Sequence, residues 1–264
     1  MNRRYAIVGV VALLALATTG TLVAYSPADA TAGSPVEPSE LEGSYTVSEA
    51  TTVDGDPFFS RESTVDAETG EQRTTLSFEA ITYDHYWTED GDRYTKITAE
   101  SEERLADRLE ESDRETVVRE YEAEPSVIVE PTEDTNADDG PAGDAFPDTL
   151  THSQLAMTAF TETGTTTVDG TTVETYEPHT GWIDVGDLAD DRDTMYVADA
   201  DGEVHVGPDE QLYHANVTLE RIDAETWGGY LLERGDSSTT TFEYDVTESA
   251  ENVSPAWFDD AEET

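Results

Sequence analysis

The chain contains no cysteine and a single lysine, Lys96. Without cysteine there is no disulfide, no thiolate nucleophile, no cysteine zinc site and no thioether-linked lipid. Positive charge is scarce in general: 13 basic residues stand against 61 acidic ones, for a net charge of −48. So little cationic surface cannot displace counterions from phosphates, which excludes nucleic acid as a partner. It equally opposes docking onto an anionic lipid surface. Catalytic patterns are missing too. No serine stands in G-x-S-x-G, and none of His85, His152, His179, His205 and His214 falls in an H-x-x-x-H or H-E-x-x-H spacing. Asp134, Asn136 and Asp138 begin like a calcium loop, but Asp139 occupies the place of the sharp-turn glycine and Ala145 that of the bidentate glutamate. Carboxylates are so frequent that their spacing carries no information about glycosidase chemistry. The expectation is a protein that is not an enzyme and takes no metal or other cofactor.

Hydrophobic residues make up 36% of the 264 positions and aromatics 9%. They fall in strand-like alternation, whereas a chain this acidic would otherwise repel itself or stay disordered. A folded protein working in molar salt, where screening contracts to a few Å, reconciles the two. The near-absence of lysine resembles the haloarchaeal style of sequence.

Asn2–Arg3–Arg4 followed by an uncharged run from Ala6 to Tyr25, and Ala28–Asp29–Ala30 after it, read as an export segment over 1–30. It is long enough to serve as an uncleaved membrane anchor, and the paired arginines resemble a twin-arginine signal. Residues 31–42, with two prolines, read as a flexible tether. A single β-rich extracytoplasmic domain is expected over 43–258, with an acidic loop at 122–148 and an acidic tail at 259–264. The protein is expected at the cell surface or outside the cell.

Within that domain, Asp169–Gly170 between two Thr- and Val-rich runs is the strongest hairpin signal. Glu89–Asp90–Gly91 and Asp66–Gly70 predict two further turns, and Asp199–Gly202 a tight turn between Val197 and Glu203. Ser101 to Ser112 is the best helix, with Ser101 as N-cap and Leu105 and Leu109 on one face. A second, shorter helix is expected over Leu150–Thr158. Alternation places Leu76 and Phe78 on one face of their strand, and Tyr213, Val217, Leu219, Phe242 and Tyr244 inward on theirs. Asn216 of the sequon Asn216–Val217–Thr218 points outward, where a glycan could be carried; Asn252 is followed by a proline at 255. Pro255, Trp257 and Phe258 predict a buried aromatic lid. Most of the tyrosines and tryptophans read as cross-strand packing. A concave sheet whose apolar face holds a ligand would use the same side chains.

The run from Gly164 to Tyr176, with Thr167–Val168–Asp169–Gly170, resembles a hairpin of haloarchaeal surface lipoproteins, as do Tyr86–Tyr94 and Pro255–Trp257. Those proteins are similar to the lipoprotein carriers of the LolA, LolB and LppX type. The resemblance implies a mainly β (α+β) fold, a strongly curved antiparallel half-barrel with one or two covering helices and a hydrophobic cavity. The partner it implies is a lipid or other apolar molecule, contacted by Leu76, Phe78, Tyr213, Val217, Leu219, Phe242 and Tyr244. The chain departs from the pattern where the lipobox cysteine is expected: Gly20 is followed by Thr21. No diacylglyceryl anchor can form, so membrane attachment would depend on the uncleaved helix. A structural or adhesive surface domain with a filled core is the alternative, and a hydrolase the third.

Overall fold

The computed structural model describes residues 30–36, 41, 43–78, 80–110, 115–121, 123–131, 150–168, 170–185, 194–208, 210–248 and 253–259. The export segment before Ala30, the Asp134–Asp138 stretch, Asn252 and the tail beyond Asp259 lie outside them.

The protein is mostly β, built on one large, curved sheet that does not close. Its strands are β1 (Ala30–Thr31), β2 (Tyr45–Val53), β3 (Asp56–Val65), β4 (Gln72–Phe78), β5 (Ile81–Trp87), β6 (Arg93–Ala99), β7 (Glu115–Tyr121) and β8 (Ser126–Pro131). They continue with β9 (Phe160–Val168), β10 (Thr171–Pro178), β11 (Gly181–Asp184), β12 (Thr194–Val206), β13 (Leu212–Ile222) and β14 (Ser237–Thr247). The spatial order is β1-β11-β12-β13-β14-β2-β3-β4-β5-β6-β8-β7, with β10 and β9 branching from the second half of β12. All neighbours are antiparallel except β1 and β11. This is the half-barrel that the lipoprotein resemblance implies.

Turn chemistry explains most of the connections. Asp54 and Gly55 both have positive φ, 54° and 86°, the requirement of a type I′ hairpin between β2 and β3. Gly170, at φ 89°, does the same work between β9 and β10, where Val168 pairs with Thr171. The Glu89–Gly91 turn joins β5 to β6, with Trp87 opposite Arg93.

Three helices occur among the described residues. In α1 (Glu102–Glu110) the Ser101 hydroxyl accepts from the Arg104 N–H, acidic residues fill the first turn and Leu105 is buried. It packs on β6, in a cluster of Ile97, Ala99, Val127 and Val129. The helix α2 (Leu150–Ala156) lies on β14 and β2, with Leu155 fully buried in the largest cluster. The third, α3 (Trp227–Glu233), starts at Thr226, whose side chain accepts from the Gly229 N–H. Trp227 and Tyr230 of α3 pack with Trp182, Tyr196 and Ile222.

Four expectations are corrected. The supposed tether is partly built into the fold: β1 pairs with Ile183 and Asp184, and Val36 is buried in the main cluster, because an apolar residue beside a strand edge gains more by packing than by solvation. The expected loop at 122–148 contains β8, whose Val127, Ile128 and Val129 are buried; a three-residue apolar run suffices for a central strand between β6 and β7. Asp199–Gly202 is no turn, since β12 runs straight through it. Gly202 has φ 114°, and a Cβ there would lie 1.9 Å from the Asn216 carbonyl oxygen, so this glycine serves close strand approach. Finally, Trp257 and Phe258 are half-buried and dock on the face away from α1 and α2, against Asp84 and Tyr86.

Candidate functional site

Side chains of a strand alternate between faces, so register alone assembles the surface that α1 and α2 cover. One row across nine strands reads Val204, Ala215, Tyr244, Glu49, Arg61, Leu76, Tyr83, Ile97 and Val127, each opposite the next. Its ends belong to the two apolar clusters and its centre is an ion pair. We call this the inner face.

The first apolar half lies under α2. Val217, Leu219 and Phe242 have no solvent exposure and Tyr244 has almost none; all pack with Leu155. A molecule could reach them only after displacing α2. Burial drives the Tyr244 phenol well above its usual pKa, with Glu49 adding to the shift and Arg61 opposing it. The second apolar half lies under α1, with Ile81 and Tyr83 at its border.

Between the helices, the inner face of β3–β5 is polar at its centre. Arg61 donates from Nη2 to Glu49 Oε2 at 3.2 Å, and both side chains are almost wholly buried. Two threonines and a serine continue this belt: the Ser63 and Thr74 hydroxyls are 2.9 Å apart, and Thr95 Oγ1 lies 2.8 Å from His85 Nδ1. The His85 ring is flanked by Tyr83 and Trp87 at 6.0 and 5.8 Å. Burial pushes its pKa down to about 4; Arg93 and Arg108 act in the same direction, and Asp84 against it. An imidazole neutral at ordinary pH and bonded across to its register partner is a packing element of the belt, and a base so weak is poorly matched to proton abstraction near neutrality.

At one rim the face becomes apolar and open. A bulge in β3 between the Thr51–Phe59 and Thr52–Pro57 pairs frees Phe58 to meet Phe78 edge-on, with ring centroids 5.1 Å apart. Each ring is 41% exposed. Phe78 is thus a rim residue and not a core one, and Leu76, two residues further in, is half-buried.

Tyr213 departs from its expected place. A bulge between the His205–His214 and Val206–Leu212 pairs gives Leu212 the buried inward position. Tyr213 is half-buried, its ring so close over Gly207 that a Cβ there would lie 2.3 Å from it. Asn216 is exposed on the opposite side of β13 from Ala215 and Val217. His214 lies 2.6 Å from Asp245 and 5.2 Å, ring to ring, from His205. Among the described residues no group of three or more His, Cys, Asp or Glu side chains could hold a metal ion. No helix among them is long and apolar enough to cross a membrane. Phe58, the Glu49–Arg61 pair and the polar belt were missed in the sequence; only Arg61, a basic residue inside a strand, was a visible sign.

No protein-family model matches the chain, and no curated protein does. Among solved structures, the chain is similar to a DUF1329 family protein from Desulfovibrio piger, at 11% identity over 81% of this chain and 88% of that one, with a TM-score of 0.21. A likeness of that order carries nothing about ligand or activity. The half-barrel therefore stands on its own register, and the surface-lipoprotein resemblance on its residues alone.

Proposed function

We propose that the chain is a non-catalytic, extracytoplasmic domain of a halophile that binds a lipid or another apolar molecule on the inner face of its half-barrel. The observation that supports this most directly is the exposed Phe58–Phe78 pair at the rim, at the entrance to a face whose two apolar halves lie under α1 and α2. Short helices carry little intrinsic stability and depend on packing, so they are the cheapest parts of the fold to move. An apolar guest would enter past the phenylalanines and take over contacts that α2 now makes with Val217, Leu219, Phe242 and Tyr244. Leu76 lines the way in, and Tyr213 lies beyond the guest's reach unless the β13 bulge reorganises.

A second reading is supported by the complete burial of Val217, Leu219 and Phe242: a surface domain with a filled core that acts through its acidic exterior or a glycan on Asn216. Native mass spectrometry on the exported protein, purified from its own host in molar salt, separates the two. Extra mass that extracts into organic solvent as lipid is the outcome expected here. A bare polypeptide mass, or one increased only by sugar that Asn216→Gln removes, together with no uptake of an apolar dye, would end the carrier reading.

A further inference from the structure

Several cations face a carboxylate: on the sheet Arg61 meets Glu49, Arg73 meets Asp84 and Lys96 meets Glu124, and on α1 Arg108 meets Glu115. Arg221 of β13 does not. Its Nη1 donates to the side-chain oxygen of Gln154 on α2 at 2.9 Å, while Nε and Nη2 lie out of solvent with no hydrogen-bond partner. In a chain with 61 acidic residues, a guanidinium left without one is conspicuous. Burial alone lowers its pKa to about 10, and a buried cation without a counter-charge is a costly group to retain.

The vacant edge is the one suited to an oxyanion. The N–H bonds of Nε and Nη2 point the same way and form a fork that accepts carboxylate or phosphate oxygens in parallel. Arg73 uses that same edge, holding Asp84 through Nε to Oδ1 at 2.9 Å and Nη2 to Oδ2 at 2.8 Å. Arg221 shares the alternation of Ala215, Val217 and Leu219, so it belongs to the inner face, between Val197 and Ser238 on the adjoining strands. Leu219 and Val217 follow it at steps of roughly 7 Å along the same face. Under the same helix as Gln154, one turn earlier, Thr151 is buried with its hydroxyl also unpartnered.

The geometry points to an anion subsite beneath α2, in which the Nε–Nη2 fork of Arg221 takes the carboxylate or phosphate head of an amphiphile whose apolar part lies along Leu219 and Val217. This rests on the proposed apolar-ligand function and narrows its ligand to an anionic amphiphile. The acidic surface repels such a ligand at long range, but in molar salt that repulsion reaches only about 3 Å, and the buried fork is screened far less.

The test is a fluorescence titration of the exported protein in molar salt with cis-parinarate and with its methyl ester, repeated with inorganic phosphate present. The acid is expected to bind roughly tenfold or more tightly than the ester, as two charge-assisted hydrogen bonds imply. Arg221→Gln should bind acid and ester alike. Arg221→Lys keeps the charge without the fork and should recover only part of the preference. Arg221→Gln should also melt no lower than the parent, because it removes an uncompensated buried charge; if it fails to fold, the lysine variant carries the comparison. Equal binding of acid and ester by the parent would overturn the subsite and leave the carrier reading intact, whereas no binding of either would overturn both. Arg221-dependent phosphate binding without any preference for the acid would assign the fork to a free oxyanion and overturn the amphiphile.

Discussion

The indole Nε1 of Trp257 donates to Asp84 Oδ2 at 2.7 Å, a bond between residues 173 positions apart. Arg73 grips both oxygens of the same carboxylate, and the Thr75 hydroxyl adds a fourth contact at 3.3 Å. Phe258 then packs edge-on against Tyr86 and Tyr94, at 4.8 and 5.1 Å. Asp84 alternates with Tyr83 and His85, so this anchor sits on the face away from α1 and α2, where the C-terminal segment braces β4–β6 without obstructing the inner face.

Asp84→Ala is therefore expected to do two things together. It should lower stability by about 2–4 kcal/mol, since a mostly buried carboxylate with four donors is lost and Arg73 is left without its partner. It should also release the segment from Val253 onward, read as rapid proteolytic trimming at the C-terminus. Trp257→Phe removes a single charge-assisted hydrogen bond and is expected to cost about 1.5–3 kcal/mol in urea unfolding. Unchanged stability in both variants would show that the segment is only laid against the sheet.

His85 makes stability depend on pH. Its folded pKa of about 4 lies below the ordinary value of 6.5, so between the two the unfolded chain binds a proton that the folded chain refuses. Stability is accordingly whole above about pH 6.5 and falls as the pH drops toward 4, by up to roughly 3 kcal/mol from this residue. His85→Gln preserves a side chain able to bond Thr95 and should flatten the slope over that window. A slope that persists unchanged in the variant would place the dependence on other groups.

Much of the fold was legible because hairpins carry local signals. Asp169–Gly170 and Glu89–Gly91 need only four or five residues to be recognised, and the alternation around Phe242 and Val217 gave their inward faces directly. What escaped detection depended on distant partners. Val127–Val129 becomes a strand only because β6 and β7 flank it, and Val36 is core only because β11 is near. Bulges at Phe58 and Tyr213 shift side chains in ways that a strict period of two cannot express. The buried Glu49–Arg61 pair was invisible for another reason: in a chain so acidic, one glutamate in a strand looks like any other. Asp201–Gly202 misled because its glycine answers to Asn216 across the ladder and not to a turn.

That difference between glycines can be measured. Gly170→Ala meets nothing within 4 Å and bears only the backbone strain of φ 89°, an expected cost of about 1–2 kcal/mol. Gly202→Ala adds to similar strain a methyl group 1.9 Å from a backbone oxygen of β13, which the ladder cannot vacate without parting β12 from β13. A loss of roughly 3 kcal/mol or more, or failure to fold, is expected in thermal unfolding. Equal effects at the two positions would contradict the continuous β12.

Phe242 and Phe78 offer the comparison that bears most on function. Both lie on the inner face, but Phe242 is fully enclosed under α2 while Phe78 stands 41% exposed at the rim. Phe242→Ala opens a cavity in packed surroundings and should destabilise the fold by about 3–5 kcal/mol. Phe78→Ala gives up partial burial and one edge-on contact with Phe58, so about 1 kcal/mol is expected. If the rim admits an apolar guest, the cheaper substitution should have the larger effect on uptake: Phe78→Ala would weaken binding of an apolar dye while the melting temperature hardly moves. Residual dye binding by Phe242→Ala, measured below its unfolding transition, should persist or increase, because the cavity enlarges the space a guest can occupy. Should Phe78→Ala leave uptake unaltered, the exposed pair is no entrance, and the filled-core reading gains the ground that the carrier reading loses.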